Sequence, residues 1–481
     1  MGSPSIVISP SVDPAAMATL PASLALRHRV VPLALRGRYL EVGVDVMPPP
    51  DVVRRLMLFT GKSIHPVFLP REALNDLLQR LQPAPDRPTH ADRIDRVRPP
   101  VRDSGTVIER VEAIVQRAID RKASDIHLEP VEAGLRVRYR IDGRLNVDRV
   151  FPATAQDEVV SRIKILSGLD IAERRRPQDG RWCFGRGATE MDIRVSSLPT
   201  ALGEHLVLRL LDGRSAAHDL PALGFAGRDL AVLDEALHLP HGLILVTGPT
   251  GSGKTTTLYA ALRTLNTPDV HIVTVEDPIE YRLDGVSQTQ VHAEIGYTFA
   301  RALRAFLRQD PNVMLVGEIR DAETAELSVR AALTGHLVLS TLHTNDAAAS
   351  VTRLVDLGVA PFLVASSLRL VLAQRLVRRR CPVCIAAGHR ADPPARAGAK
   401  NASDDRSCPE CEGAGFRGRT AIVETLRVTE SIARQIVAGA DAAELRRLAR
   451  SEGMRTLREA ATAAVAAGVT TAAEAHRETS L

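Results

Sequence analysis

Aromatic residues are scarce in this chain. They make up 3% of its 481 residues, with one tryptophan among them. A protein that holds single strands by stacking bases on aromatic rings needs more of them. The net charge of +5 therefore does not argue for a nucleic-acid partner. It reflects a preference for arginine over lysine. Long apolar runs are lacking too. None reaches the ~18–20 residues of a membrane span, and Leu357 to Leu368 is the nearest approach. The amino terminus has no basic start followed by a sustained apolar stretch, so no signal peptide is expected. These absences predict a cytoplasmic protein that touches a membrane only through partners. Cysteine is sparse, with five in all. Four of them form two Cys-x-x-Cys pairs, which in the cytoplasm suggests metal rather than disulfides. Cys183 stands alone and is expected to be a partly buried hydrophobe.

What is present is ordinary globular composition, 45% hydrophobic and 25% charged, on a chain long enough for several cores. The pattern along it predicts four parts. Residues 1–82 form a small α/β domain whose first 20 or so residues look disordered. Within it, Val30 to Val46 suggests paired strands and Arg71 to Leu81 an amphipathic helix. Residues 83–103, rich in proline and charge, look like a linker. Residues 104–215 alternate as an α+β domain. Val107, Ile108, Val111, Ile114, Val115, Ala118 and Ile119 share one helix face there, and Leu135 to Ile141 alternates as a strand before the Asp142-Gly143 turn. From 222 to 481, near-continuous apolar strands (Leu243 to Thr247, Val270 to Val275, Val313 to Val316, Leu337 to Thr341) alternate with helices. That predicts a parallel sheet covered on both faces. After Cys411 the chain looks mostly helical and Ala-rich.

Gly248-Pro249-Thr250-Gly251-Ser252-Gly253-Lys254-Thr255-Thr256 follows the first of those strands and precedes a helix. It matches the phosphate-binding loop pattern in full. Its glycines let backbone N–H groups close around phosphates, and the next helix adds its positive end. Lys254 is expected at the β/γ-phosphates and Thr255 on Mg²⁺. Val313 to Asp321 is an apolar strand running into an acid, as a Walker B segment does. Gly317 stands where an aspartate normally would, so Glu318 is the candidate for orienting the attacking water. Glu276, Asp277 and Glu280 lie just past another strand, at the edge where open α/β sheets bind ligands, and could complete the Mg²⁺ and water network. His336 and His343 bracket the strand Leu337 to Thr341 and are candidates for sensing the γ-phosphate.

Cys381-Pro-Val-Cys384 and Cys408-Pro-Glu-Cys411 can supply four thiolates to one tetrahedral site. No open position is evident, so the expected ion is a structural Zn²⁺. The module containing it is expected over residues 376–420, followed by helices over 426–481.

These segments, in this order from about Thr106 onward, resemble the secretion ATPase superfamily, in particular the GspE-like ATPases of type II secretion and the type IV pilus assembly ATPases. Arg121 to Pro130, Arg174 to Arg181 and Met191 to Ser196 look like that family's second N-terminal domain. Val275 to Tyr281 looks like its Asp box, Gly335 to Asn345 its His box, and Gln374 to Cys384 the opening of its tetracysteine module. The resemblance implies a RecA-like P-loop ATPase domain behind a PAS-like domain, with ATP, Mg²⁺ and Zn²⁺. It also implies that Arg194 and Arg209 reach the nucleotide from the second domain. It further implies a homohexamer at the inner membrane, working with GspL-like and GspF-like platform proteins to drive pseudopilus assembly and export. A pilus extension motor shares every one of these motifs, and the short amino-terminal region favours secretion. A zinc-containing nucleic-acid translocase is the alternative from another class, and a non-hydrolysing scaffold conflicts with intact Lys254, Thr255 and Glu318.

Overall fold

The computed structural model describes residues 31–37, 39–60, 62–81, 105–185, 191–211, 218–388 and 408–480, with scattered positions between 13 and 30. The chain forms two compact units, Met1–Val97 and Arg98–Leu481. In the first, β1 (Val31–Arg36) pairs antiparallel with β2 (Tyr39–Val44), which pairs parallel with β3 (Ser63–Phe68). A parallel pair needs a crossover, and the helix Pro50–Thr60 supplies it. The expected helix is present as Arg71–Leu81. Leu33, Leu40, Val42, Val44, Leu56 and Leu74 form the core. Ala16 and Leu20 are buried in the same core, which corrects the expectation of disorder at those two positions. The rest of the expected tail and the linker at 83–103 lie almost wholly outside the described residues.

The second unit begins with a six-stranded antiparallel sheet. Its strands are β4 (Asp125–Val131), β5 (Gly134–Ile141), β6 (Arg144–Phe151), β7 (Gln178–Phe184), β8 (Met191–Thr200) and β9 (Gly203–Leu211), in the order β6-β5-β4-β9-β8-β7. Asp142 and Gly143 both take positive φ, 49° and 82°. That is the mirror-image turn a right-twisted two-residue hairpin requires. Helix Val107–Asp120 opens with a reciprocal capping box, Thr106 with Glu109. It packs with helix Ala153–Leu166 on one face of the sheet, over Ile126, Leu128, Leu135, Val137, Ile193, Val195 and Leu206. Strand alternation sends His127, Glu129, Arg138, Arg194 and Arg209 to the other face. Under the sheet, the fully buried Lys164 ammonium is held by Glu204 at 2.8 Å and by the Glu173 carbonyl at 2.7 Å. Cys183 is exposed on β7, not partly buried: it sits one residue after the inward-facing Trp182, on the outward side of the strand.

A seven-stranded sheet follows. Its strands are β10 (Gly242–Thr247), β11 (Ile272–Glu276), β12 (Val286–Gln290), β13 (Val313–Val316), β14 (Leu337–Leu342), β15 (Leu368–Arg380) and β16 (Phe416–Arg427). Their order is β12-β11-β13-β14-β10-β15-β16. Every pairing is parallel except that of β15 with β16. Every residue of β10, β11, β13 and β14 is buried, which accounts for their unbroken apolar sequences. Leu245, Val275, Met314 and Val338 face one helical layer, and Ile244, Val246, Leu315 and Leu339 the other. The segment after Cys411 is not uniformly helical, because β16 forms the sheet edge there. Its arginines and Gly418 mask the apolar centre Ala421 to Val423 that packs against β15.

Candidate functional site

The loop Gly248–Gly253 leaves the carboxyl end of β10 and runs into helix Lys254–Leu265. Gly248 and Gly253 take φ of 146° and 86°, which favour glycine. Space enforces the choice as well. A Cβ on Gly248 would lie 2.4 Å from the Gln374 carbonyl oxygen, and one on Gly253 would lie 2.9 Å from Gln374 Nε2. Gln374 is thus a clamp. Its Nε2 donates to the Ser252 carbonyl at 2.8 Å, and its Oε1 accepts from Thr257 Oγ1 at 2.8 Å. The Lys254 ammonium donates to the carbonyls of Gly248 (2.8 Å) and Pro249 (3.1 Å), folding over the loop. Burial lowers its pKa, and the Glu318 carboxylate opposes that shift. Ser252 Oγ is buried without a partner.

The loop opens onto a cleft of about 1590 Å³. Pro249, Thr250, Thr255 and Thr256 line it, with Glu276, Asp277, Glu280, Glu318 and His343 from neighbouring strand ends. Arg194 and Arg209 line it from the six-stranded sheet. The donor set fits a magnesium nucleotide: an ammonium, freed backbone N–H groups at a helix start, a threonine hydroxyl and carboxylates opposite.

Glu318 lies two residues past the end of β13. Its Oε2 accepts from Arg320 Nε at 2.6 Å and lies 3.5 Å from His343 Nε2. Gly317 has a local reason. A Cβ there would come within 3.2 Å of the Val275 carbonyl on β11, so a side chain at this position would press on the neighbouring strand. Burial first, then Lys254, holds His343 below the ordinary histidine pKa. His336 sits at the opposite end of β14, with Nδ1 3.0 Å from the Ala331 carbonyl. It does not line the cleft.

Glu276 is buried. It accepts from Tyr259 OH, from Thr274 Oγ1 at 2.6 Å and from Gln288 Nε2 at 3.2 Å. Burial and this carboxylate push the Tyr259 phenol up. Asp277 is exposed at the cleft. Arg194 Nη2 donates to the Ile279 carbonyl at 3.1 Å, and its Nη1 lies 3.7 Å from Glu280 Oε2. The six-stranded sheet thus reaches the acidic segment through a side chain. Arg209, opposite Arg194 in the β8–β9 register, is 61% exposed and is held by Asp125 at 3.1 Å.

The four cysteines Cys381, Cys384, Cys408 and Cys411 converge with all sulfurs within 4.8 Å of one another. The separations Cys381–Cys408 and Cys384–Cys411 are 3.7 and 3.5 Å. Zn–S bonds of ~2.3 Å at tetrahedral angles place sulfurs ~3.8 Å apart, so the set fits Zn²⁺. Gly413 and Gly415 take φ of 83° and 73°, and Gly415 N donates to Cys411 Sγ at 3.3 Å. Burial pushes the Cys381 and Cys384 thiols up, whereas the Cys411 backbone N–H pulls Cys408 down to about 7. Arg121 reaches this module, pairing with Glu412 at 2.6 Å, and Asp142 accepts from Gly418 N at 2.8 Å. Elemental analysis should find about one zinc per chain, and Cys408→Ser should lose both metal and thermal stability. A metal-free protein melting like wild type would contradict this. His127, Glu129 and His205 also cluster, but Arg136 and Arg138 already occupy the Glu129 carboxylate.

Sequence patterns alone did not single out Gln374. Its signal was the Gln374-Arg375 pair next to the buried apolar run of β15, opposite the loop-bearing strand.

A loop of this kind at the carboxyl edge of a parallel sheet, with an acid ending a neighbouring strand, defines a RecA-like P-loop ATPase. Comparison with known proteins narrows the class. A family model described as type II/IV secretion system protein matches residues 101–477, and an MshEN domain model matches residues 2–88. The chain belongs to the type II/IV secretion system protein family and is an ATPase of it. It is 42% identical to the type IV pilus assembly ATPase PilB of Myxococcus xanthus, over 96% of this chain and 86% of that one. It is 49% identical to the type II secretion system protein HxcR of Pseudomonas aeruginosa, over 82% and 81%. To the type II secretion system protein E of the same organism it is 50% identical, over 78% and 76%. Among solved structures, the pilus retraction motor PilT with bound ADP is 29% identical, with a TM-score of 0.52 over 76% of this chain and 96% of that one. The Legionella pneumophila ATPase DotB shares the fold, with 22% identity and a TM-score of 0.60 over 79% and 97%.

Proposed function

We propose that this chain is the cytoplasmic ATPase motor of a type II secretion system, hydrolysing ATP to drive pseudopilus assembly and protein export. The observation that carries this is the 47–50% identity to several type II secretion proteins over some four-fifths of the chain. In this reading Lys254 and the loop N–H groups hold the β/γ-phosphates, and Thr255 ligates Mg²⁺. That ion, when bound, neutralises charge developing on the phosphates. Glu318, with His343 beside it, orients the attacking water. Glu276, Asp277 and Glu280 hold the outer Mg²⁺ and water network. Arg194 and Arg209 add positive charge as the second domain closes over the cleft. His336, remote from the cleft, is left with a structural role. Zn²⁺ holds the tetracysteine turns together, where Arg121 grips them. Sixfold self-assembly, GspL-like and GspF-like partners at the inner membrane, and docking through residues 1–82 complete the reading. The membrane contact is then indirect, consistent with there being no helix among the described residues long and apolar enough to span.

A second reading, pilus extension, has one observation in its favour. The pilus assembly relatives align through the amino-terminal unit as well, over 96% of the chain. Deleting the gene in its host separates the two. Loss of exported proteins with pili intact supports the secretion motor. Loss of pili with export intact transfers the function to pilus assembly.

A further inference from the structure

Arg375 is a buried cation that lines the nucleotide cleft and has no ion pair among the described residues. On β15, the register Thr247↔Ala373 brings Gln374 and Arg375 level with the start of the phosphate loop. Gln374 is used up in clamping that loop. Arg375 follows Val371 and Ala373 on the face that packs into one helical layer, and it is 5% exposed. Its Nη2 makes one long contact, 3.4 Å to Asn345 Oδ1. Its Nη1 is buried with no hydrogen-bond partner. Asn345 itself ends the segment that carries His343.

Among the described residues, no carboxylate of the cleft pairs with this guanidinium. Glu318 is engaged by Arg320. Glu478, on the last helix, acts on Arg375 from a distance, but its ion pair is with Arg477. Arg378, three residues along the same strand, differs in having a counter-ion. It pairs with Glu474 at 2.7 Å and lies 3.9 Å over the Phe416 ring. A buried charge without an ion pair is costly, and Lys254, a second cation, lies near enough to act on it. Two converging cations beside a loop with free N–H groups are satisfied together by one multiply charged anion.

We propose that Arg375 contacts the phosphate tail of the bound nucleotide from within the same chain, as a second fixed cation beside Lys254. The inference rests on the ATP-site reading. It adds a residue that the loop, the acidic segments and the second-domain arginines do not supply. A planar guanidinium suits phosphate oxygens through paired N–H donors. The contact to Asn345 then links occupancy of the cleft to the segment bearing His343.

The test compares wild type, Arg375→Gln, Arg375→Lys and Lys254→Ala in the full chain. ATP and ADP binding, turnover and melting temperature are measured with and without nucleotide. Arg375→Gln should weaken ATP binding roughly tenfold to a hundredfold, the loss of one charge-assisted contact. Arg375→Lys should recover part of it. The nucleotide-free melting temperature of Arg375→Gln should not fall, because an unpaired buried charge has been removed, while the rise caused by ATP should shrink. A merely structural arginine gives the reverse: a lower nucleotide-free melting temperature with a full ATP-induced rise. That result overturns the proposal, as does ATP affinity within about twofold of wild type. If Lys254→Ala loses ATP while Arg375→Gln does not, this inference alone falls. If neither variant loses ATP, the site reading beneath it falls too.

Discussion

Lys254→Ala should give a folded protein that no longer hydrolyses ATP. Among the described residues, the Lys254 ammonium bonds to two loop carbonyls, those of Gly248 and Pro249. Those carbonyls sit at the cleft and can turn to water once the ammonium is gone. The loop itself is held from elsewhere, by Gln374 on Ser252 and Thr257. Melting temperature and zinc content should therefore stay close to wild type. Turnover should not. In the proposed reading the ammonium meets the β/γ-phosphates, and because it is half-buried and partly desolvated its charge acts more strongly there than in water. Losing one preorganised donor to developing charge costs ~10²–10³-fold in rate, and loss of nucleotide binding adds to that. Phosphate release measured beside wild type checks it. Near-wild-type turnover in a folded variant would remove the loop from the chemistry.

Glu318→Gln should separate binding from hydrolysis. The glutamate is 12% exposed, between Arg320 and His343. Glutamine keeps the shape but cannot hold a negative charge beside the attacking water. A positioned base contributes ~10²–10⁴-fold, so turnover should fall by about that much. ATP binding should persist, because Glu318 makes no hydrogen bond to the phosphate loop among the described residues. Stability should change little: Arg320 is 68% exposed, and ion pairs with exposed partners contribute only ~0–1 kcal/mol. Unchanged turnover would move the water-orienting role to the Glu276–Glu280 segment.

Much of this site was legible in the sequence because its signals are local. The phosphate loop needs one strand, one turn and one helix in succession, and those are contiguous from Gly242 to Leu265. The two Cys-x-x-Cys pairs are equally local, and their convergence needed only a loop between them. Glu318 was found because its strand is buried from end to end. The histidines show where locality fails. His336 and His343 flank β14 and are separated by roughly 20 Å of extended chain, so only one of them can meet a phosphate. The strand direction that decides between them is set by tertiary structure. Gln374 and Arg375 were missed for a related reason. Their roles depend on β15 lying beside β10, a pairing that no nearby residue announces. β6, β7 and the helix Ala153–Leu166 went unrecognised because charged residues interrupt the strands, and the helix starts at Pro152 without a side-chain cap.

The family match accounts for the gross architecture, and the geometry adds how the parts meet. Arg194 touches the acidic segment, Arg121 touches the turn after Cys411, and Asp142 touches β16. Each contact joins the six-stranded sheet, or the helix packed on it, to the ATPase layer or its cysteine module. In the proposed reading, a nucleotide between Gly248 and Arg194 bears on both layers at once, as a motor requires if hydrolysis is to move one relative to the other.

The central claim is that the cleft binds ATP through Lys254 and cleaves it through Glu318. The most direct test loads wild type, Lys254→Ala and Glu318→Gln with ATP and Mg²⁺, passes each through gel filtration, and identifies the nucleotide retained and the phosphate released. Wild type should release phosphate and retain ADP, Glu318→Gln should retain uncleaved ATP, and Lys254→Ala should retain neither. Equal phosphate release from all three would contradict the account.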